Sequence, residues 1–258
     1  MNVEVVLTPA EIALLPGRDL RGFTCVVFDV LRATSTMVTA LFNGANRIFP
    51  VSTIAEALTL RETRLPGALL GGERGGKSLE GFDLGNSPRE HTPEAVAGRD
   101  IISTTTNGTV ALRACDGART VLAGAFLNLR AVADHLSAHE SDGERLLLVC
   151  AGTGERFALE DGLAAGALLG LLKARSDAGR PHTARFEMDD ASVAMLALYK
   201  RSERRLLGAM QASENGRRLA ELGLDGDIEW CARESPMDWI ALMRNGVLEG
   251  QKVARGPG

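Results

Sequence analysis

Four segments of this chain place acids, arginines and hydroxyls at the ends of apolar runs, where a small anion and a cation can be held together. In the first, Val26-Val27-Phe28-Asp29-Val30-Leu31-Arg32-Ala33-Thr34-Ser35-Thr36, an apolar run delivers Asp29, then Arg32, then a hydroxyl-rich helix start. A carboxylate ending a buried strand is costly unless it is paired or binds a cation. Two readings stay open: Asp29 as a functional acid, or Asp29 and Arg32 as a structural ion pair with Thr34 or Ser35 capping the helix. The second is Gly71-Gly72-Glu73-Arg74-Gly75-Gly76, followed by Gly81-Phe82-Asp83-Leu84-Gly85-Asn86-Ser87-Pro88. Its glycines permit close backbone approach to a ligand, Glu73 and Asp83 are hard oxygen donors, and Arg74 is a planar phosphate fork. The bland alternative is a solvated surface loop.

The third, Ser103-Thr104-Thr105-Thr106-Asn107-Gly108-Thr109, lies between Ile101-Ile102 and the amphipathic Val110–Cys115. A strand–turn–helix junction of this kind presents amides and a positive helix end to a phosphate, or serves only as an N-cap cluster. It does not fit the G-x-x-x-x-G-K-[ST] nucleotide loop, so ATP binding is not supported. The fourth runs from Leu147 through Cys150 and Arg156 to Gly162. Cys150 and Arg156 have the C-x₅-R spacing of cysteine-dependent phosphatases, whereas a cysteine at a buried strand end is otherwise packing. Glu160 and Asp161 are adjacent on a helix and point in different directions, so one of the two reaches a shared site.

Other chemistries fit less well. A haloacid-dehalogenase mechanism needs a second acid two residues after Asp29, and that position is Leu31. His91, His135, His139 and His182 read as surface residues, because the i, i+4 pair His135 and His139 lacks the intervening Glu of a zinc helix. Cys25, Cys115, Cys150 and Cys231 form no C-x-x-C pair, which points away from zinc and disulfides and toward a reducing cytoplasm.

The elements that must position these residues alternate between strand-length and amphipathic runs. Strands are expected at Val3–Leu7, Thr24–Val30, Arg47–Val51, Ala68–Leu70, Asp100–Ser103, Thr120–Ala123, Leu146–Cys150 and Ile228–Cys231. Helices are expected at Ser35–Phe42, Ile54–Arg61, Thr109–Cys115, Leu129–Ala138, Phe157–Ala174, Ala191–Lys200, Arg204–Gln211 and Asn215–Leu222. This predicts a three-layer α/β fold, with a largely parallel or mixed sheet and helices on both faces, as a single domain over 1–258 or two joined lobes divided near 138–144. In such sheets ligands gather at the carboxyl ends of strands, so the four segments are expected to meet in one cleft.

A chain of 258 residues, 45% hydrophobic and 24% charged, can bury its own core. Its net charge of −4 recommends neither nucleic acid nor an anionic membrane. The N-terminus lacks the basic-then-apolar order of a secretory signal, and Leu163–Leu172 is too short to span a bilayer. A soluble cytoplasmic protein is expected, with room for a homo-oligomer.

In their order along the chain, VVFDVLRATSTMVTAL, LGGERGG, GFDLGNSP, STTTNGT and CAGTGERFALEDGLAAG resemble the 2-phosphosulfolactate phosphatase family of coenzyme M biosynthesis. The likeness continues more weakly over Ser213–Ala232 and breaks after Cys231, at Arg233–Asp238. It implies Mg²⁺-dependent hydrolysis of 2-phospho-3-sulfolactate to 3-sulfolactate and phosphate. Asp29, Arg32, Glu73, Arg74 and Asp161 would then be catalytic, with Mg²⁺ held by carboxylates drawn from Asp29, Glu73, Asp83 and Asp161. Arg32, Arg74, Asn86, Ser87, Thr104, Thr105, Thr106, Asn107, Gly108 and Thr109 would bind substrate, and Cys150 would be structural or support the residues of the site, and not be the nucleophile. The alternatives are a cysteine phosphatase using Cys150 and Arg156, and a non-catalytic anion-binding protein.

Overall fold

The computed structural model describes residues 1–139, 145–177 and 186–254. The described strands are β1 (Asn2–Val6), β2 (Phe23–Phe28), β3 (Arg47–Pro50), β4 (Leu69–Arg74), β5 (Lys77–Ser78), β6 (Asp100–Thr104), β7 (Thr120–Gly124), β8 (Arg145–Cys150), β9 (Glu187–Met188), β10 (Trp239–Arg244) and β11 (Val247–Lys252). They form one mixed sheet in the order β5-β4-β6-β3-β11-β10-β7-β2-β8-β1-β9. Two parallel blocks, β4-β6-β3 and β7-β2-β8-β1-β9, run in opposite directions on either side of the antiparallel pair β11-β10. Residues 140–144 of the expected lobe boundary, and His182, lie outside the described residues. The strands flanking that boundary, β7 and β8, both pair with β2.

In a flat sheet the carboxyl ends of the two blocks would face opposite edges. Curling brings them together, as expected for a strongly twisted sheet of this breadth. The helix Gly108–Ala114 packs against both β2 and β3, strands separated by β7, β10 and β11. Four strand spacings span roughly 19 Å, whereas a helix is about 10–12 Å across. One helix can touch both strands only inside a concave sheet.

The core follows this curvature. Central strands are apolar along their whole length because both faces are covered, and β2 shows it: Phe23, Cys25 and Val27 face one side, Val26 and Phe28 the other. The concave side joins both blocks into one cluster with Ile48, Ile101, Leu147 and Leu248. The helix Ala33–Phe42 lies across β3, β11, β10 and β7. The convex side is covered by Leu129–Ala138 over β7 and β10, by Leu159–Asp177 over β2 and β8, and by Ile54–Thr63 over β4 and β6. Helices thus cover both faces, as the α/β pattern predicts. Among the described residues no helix is long and apolar enough to cross a membrane.

Three local expectations differ from the structure. The expected strand Ile228–Cys231 is part of a helix, Asp225–Cys231; its buried residues Asp227, Ile228 and Cys231 recur at i, i+1 and i+4, the spacing of one helical face. The hairpin β10-β11 has no counterpart among the expected strands, although Asn245-Gly246 between two apolar runs is a turn signal. Both residues have positive φ, 51° and 76°, as a tight two-residue hairpin turn demands. The strand expected at Ala68–Leu70 runs on to Arg74 and turns at Gly75-Gly76, with φ of 64° and 80°, into β5. The glycine-rich segment is therefore a hairpin and not a free loop.

The β10-β11 pair clasps the two blocks, and Leu248, fully buried opposite Ile48 and Met243, is its central apolar residue. Leu248→Ala should cost about 2–5 kcal/mol in urea unfolding. A loss below about 1 kcal/mol would show that the clasp is dispensable.

Candidate active site

Strand β2 ends at Asp29, and the hydroxyl-rich residues after it close the turn into the next helix. The Asp29 N–H donates to Thr34 Oγ1 at 3.1 Å, and Ser35 Oγ donates to the Val30 carbonyl at 2.8 Å. The carboxylate accepts the N–H of Ala33 at 3.3 Å and a further backbone N–H from Gly108. A Cβ on Gly108 would lie 2.7 Å from Asp29 Oδ2. Only glycine lets the helix Gly108–Ala114 approach this closely.

Glu73 reaches the same place from β4. Its Oε1 accepts Thr106 N–H at 2.8 Å and Thr106 Oγ1 at 2.9 Å, and its Oε2 accepts Gly76 N–H at 2.7 Å. Because neighbouring residues of a strand point to opposite faces, Arg74 turns away. It donates to Thr104 Oγ1 at 2.9 Å and to the Glu73 and Ser52 carbonyls. Arg74, expected to hold substrate, therefore does not line the cleft.

Arg32 faces the cleft, yet its charge is already matched. Its guanidinium pairs with Asp227 at 2.7 Å, donates to the Gly76 carbonyl at 2.7 Å, and both side chains are buried. Ser87 Oγ donates to the other Asp227 oxygen at 2.7 Å. The partner of Arg32 is thus a distant acid, Asp227, rather than Asp29, and Ser87 steadies that acid.

Asp161 does not open into the cleft as an expected metal ligand would. One oxygen accepts Val30 N–H at 2.8 Å and the other Gly152 N–H at 3.0 Å, tying the turns after β2 and β8 together. Its neighbour Glu160 turns toward Ser213 and Asn215, with Oε2 buried and unpartnered. Asp83 lies outside the site altogether: it accepts Leu70 N–H at 2.8 Å and pairs with Arg61 at 3.4 Å on the surface.

The cleft encloses about 150 Å³ and is bounded by Asp29, Arg32, Glu73, Asn86, Thr106 and Asn107. The turn Gly152-Thr153-Gly154 lines it too, anchored by the Asn107 amide, which donates to the Ala151 and Gly154 carbonyls at 2.9 and 3.0 Å. Of the expected threonines, Thr105 and Thr109 cap one another at 3.1 Å and Thr104 receives Arg74. Those three build the junction and do not line the cleft. Sequence reasoning missed Thr153, Asp227, and Asn215 and Arg218, which complete the lining from the C-terminal third of the chain. The only signal for the last two is the run SENGRRL.

Cys150 is fully buried among Leu146, Leu148 and Leu163, and burial pushes its thiol well above the ordinary range. Arg156 is exposed and paired with Glu214. The C-x₅-R spacing does not assemble a thiolate site. His91 corrects another expectation: it is buried at 3% exposure, with Nδ1 2.9 Å from the Ser87 carbonyl oxygen, and burial lowers its pKa.

Packing acids together has an electrostatic cost. Burial, then the neighbouring Glu73 charge, raises Asp29 from 3.8 to about 7. Burial, with the Asp29 and Glu160 charges, pushes Asp161 well above the ordinary range. Among the described residues no three His, Cys, Asp or Glu side chains form a metal shell. Asp29 and Glu73 remain as a pair of cleft-facing carboxylates, and two carboxylates suit Mg²⁺, which keeps several waters and takes other oxygens from a phosphate.

The 2-phosphosulpholactate phosphatase family matches residues 10–246. The chain belongs to that family. It is accordingly a phosphoric monoester hydrolase, and the match continues past Cys231, where the sequence likeness had been expected to break. A probable 2-phosphosulfolactate phosphatase of Caldanaerobacter subterraneus subsp. tengcongensis is 43% identical over 236 residues, 90% of this chain and 92% of that protein. A protein of the same description from Deinococcus radiodurans is 45% identical over 226 residues, 87% of this chain and 89% of the other. One from Clostridium acetobutylicum is 34% identical over 248 residues, covering 96% and 100%.

The raised Asp29 pKa gives a signed prediction. Between pH 3.8 and about 7 the unfolded chain has lost this proton while the metal-free folded protein keeps it, so stability falls as pH rises through that window. The contribution is at most on the order of 4 kcal/mol. Asp29→Asn should flatten the fall of Tm from pH 4 to 7 and leave the metal-free variant more stable at pH 7. Parallel Tm profiles would contradict it.

Proposed function

We propose that this enzyme hydrolyses 2-phospho-3-sulfolactate to 3-sulfolactate and phosphate with the aid of Mg²⁺. The observation that carries the metal is the Asp29 and Glu73 pair, two buried carboxylates lining one small cleft whose Arg32 charge is matched by Asp227. Unscreened carboxylates repel a phosphate, so the cleft takes its substrate when a divalent cation offsets them. The substrate assignment rests on family membership and on the descriptions of the relatives.

A bound Mg²⁺ would supply positive charge that offsets the phosphoryl oxygens. Asp29 and Glu73 would hold it, kept in place by Ala33, Gly108, Thr106 and Gly76 N–H groups. Arg32, fixed by Asp227, directs its remaining N–H groups at the phosphoryl oxygens. The Asn86 amide and the Thr153 hydroxyl line the same cleft and offer further donors. Water oxygen bonds to phosphorus as the phosphorus to C2-oxygen bond breaks, and the proton that the water gives up balances the one the departing alkoxide takes on. At about 150 Å³ the cleft suits a compact ester better than a drug-sized ligand. The four cysteines are free and buried, which agrees with a cytoplasmic compartment.

Phosphate release from 2-phospho-3-sulfolactate should stop on chelation and return with added Mg²⁺. Asp29→Asn and Glu73→Gln should each lower kcat by about 10²–10⁴, while Cys150→Ala stays within a few-fold of the wild type. Full turnover after exhaustive chelation would reject the metal, and loss of turnover confined to Cys150→Ala would restore the thiolate mechanism.

A further inference from the structure

The substrate proposed above carries three anionic groups, and the cations expected to receive them are largely engaged elsewhere. Arg32 is matched by Asp227, Arg74 points to the opposite face of β4, and Arg156 pairs with Glu214. Arg218 differs. It lines the cleft, is exposed, and its guanidinium has no ion-pair or hydrogen-bond partner among the described residues.

Its position is set by the fold. The helix Glu214–Glu221 begins at Ser213, whose hydroxyl accepts Gly216 N–H at 3.0 Å. The Asn215 amide donates to the Leu31 carbonyl, and Leu219 is buried in the convex core. These contacts pin the helix to the segment that carries Arg32. Across the cleft mouth, a Cβ on Gly75 would lie 3.1 Å from Arg218 Nη2, and the φ of 64° there also disfavours a side chain. The hairpin turn thus leaves room for a guanidinium.

We propose that Arg218 is a specificity-determining residue that receives the sulfonate of the substrate, an inference that rests on the phosphosulfolactate reading. The phosphate ester and the carboxylate share C2, while the sulfonate sits on C3, one carbon further from phosphorus. With phosphorus at the buried carboxylates, Asp29 and Glu73, the more distant group reaches the exposed mouth, where Arg218 stands. A planar guanidinium matches two sulfonate oxygens as a fork, which an ammonium does not. Binding energy gained there orients the reacting phosphate at the other end.

The test is kcat/KM for 2-phospho-3-sulfolactate and for 2-phospholactate, which lacks the sulfonate, on the wild type, Arg218→Gln and Arg218→Lys. The expected result is a loss of about 10- to 100-fold on phosphosulfolactate in Arg218→Gln, a smaller loss in Arg218→Lys, and values within about two-fold on phospholactate. Inhibition by 3-sulfolactate should weaken in parallel, while inhibition by lactate should not change. Equal losses on both substrates, or no loss on either, would overturn the assignment of Arg218 and leave the substrate reading standing. A wild-type enzyme that does not hydrolyse phosphosulfolactate would instead sink the substrate reading, and the assignment with it.

Discussion

The carboxylates of Asp29 and Glu73 are drawn into one cleft by a sheet that curls until the carboxyl ends of its two opposed blocks meet. Each acid is more than nine-tenths buried, and together they raise the cost of ionising Asp29. Two like charges in a poorly solvated place are a standing penalty that the apolar core must outweigh. Such a penalty is tolerable where it is relieved during function, and the proposed cation between the acids would relieve it.

Much of the surrounding polar structure holds this pair still. Backbone N–H groups from both blocks engage the acids, so neither can swing away from the other. Asp161 joins the turns after β2 and β8 through Val30 and Gly152. The Arg32, Asp227 and Ser87 chain brings a C-terminal helix against the N-terminal turn. Because Asp227 matches the Arg32 charge, the proposed recognition of further anionic groups is left to the rim, where the Arg218 guanidinium has no partner among the described residues.

The alternation of apolar and amphipathic runs made the α/β class and most elements legible, and of the residues at the polar strand ends Asp29, Glu73, Thr106 and Asn107 line the cleft. Where local patterns met tertiary geometry, the sequence was less informative. Arg74 looked equivalent to Arg32 in a glycine-rich loop, but continuation of β4 sends it to the opposite face. Asp83 and Asp161 had the chemistry of metal ligands and are occupied by backbone N–H groups. Asp227 and Arg218 were hidden because long-range packing alone places them, and an acid on a short amphipathic helix ordinarily faces solvent. The hairpin β10-β11 was legible in Asn245-Gly246, whereas the run at Ile228–Cys231 is too short for periodicity to separate strand from helix.

The central claim is that Asp29 and Glu73 jointly hold a divalent cation. Mn²⁺ substitutes for Mg²⁺ at oxygen sites and scatters anomalously, so a crystal grown with Mn²⁺ and 3-sulfolactate tests the claim directly. The account predicts one strong anomalous peak between the Asp29 and Glu73 carboxylates, lost in Asp29→Asn. A peak at Asp83 or Asp161 instead, or no peak in crystals of enzyme that is active without metal, would contradict it.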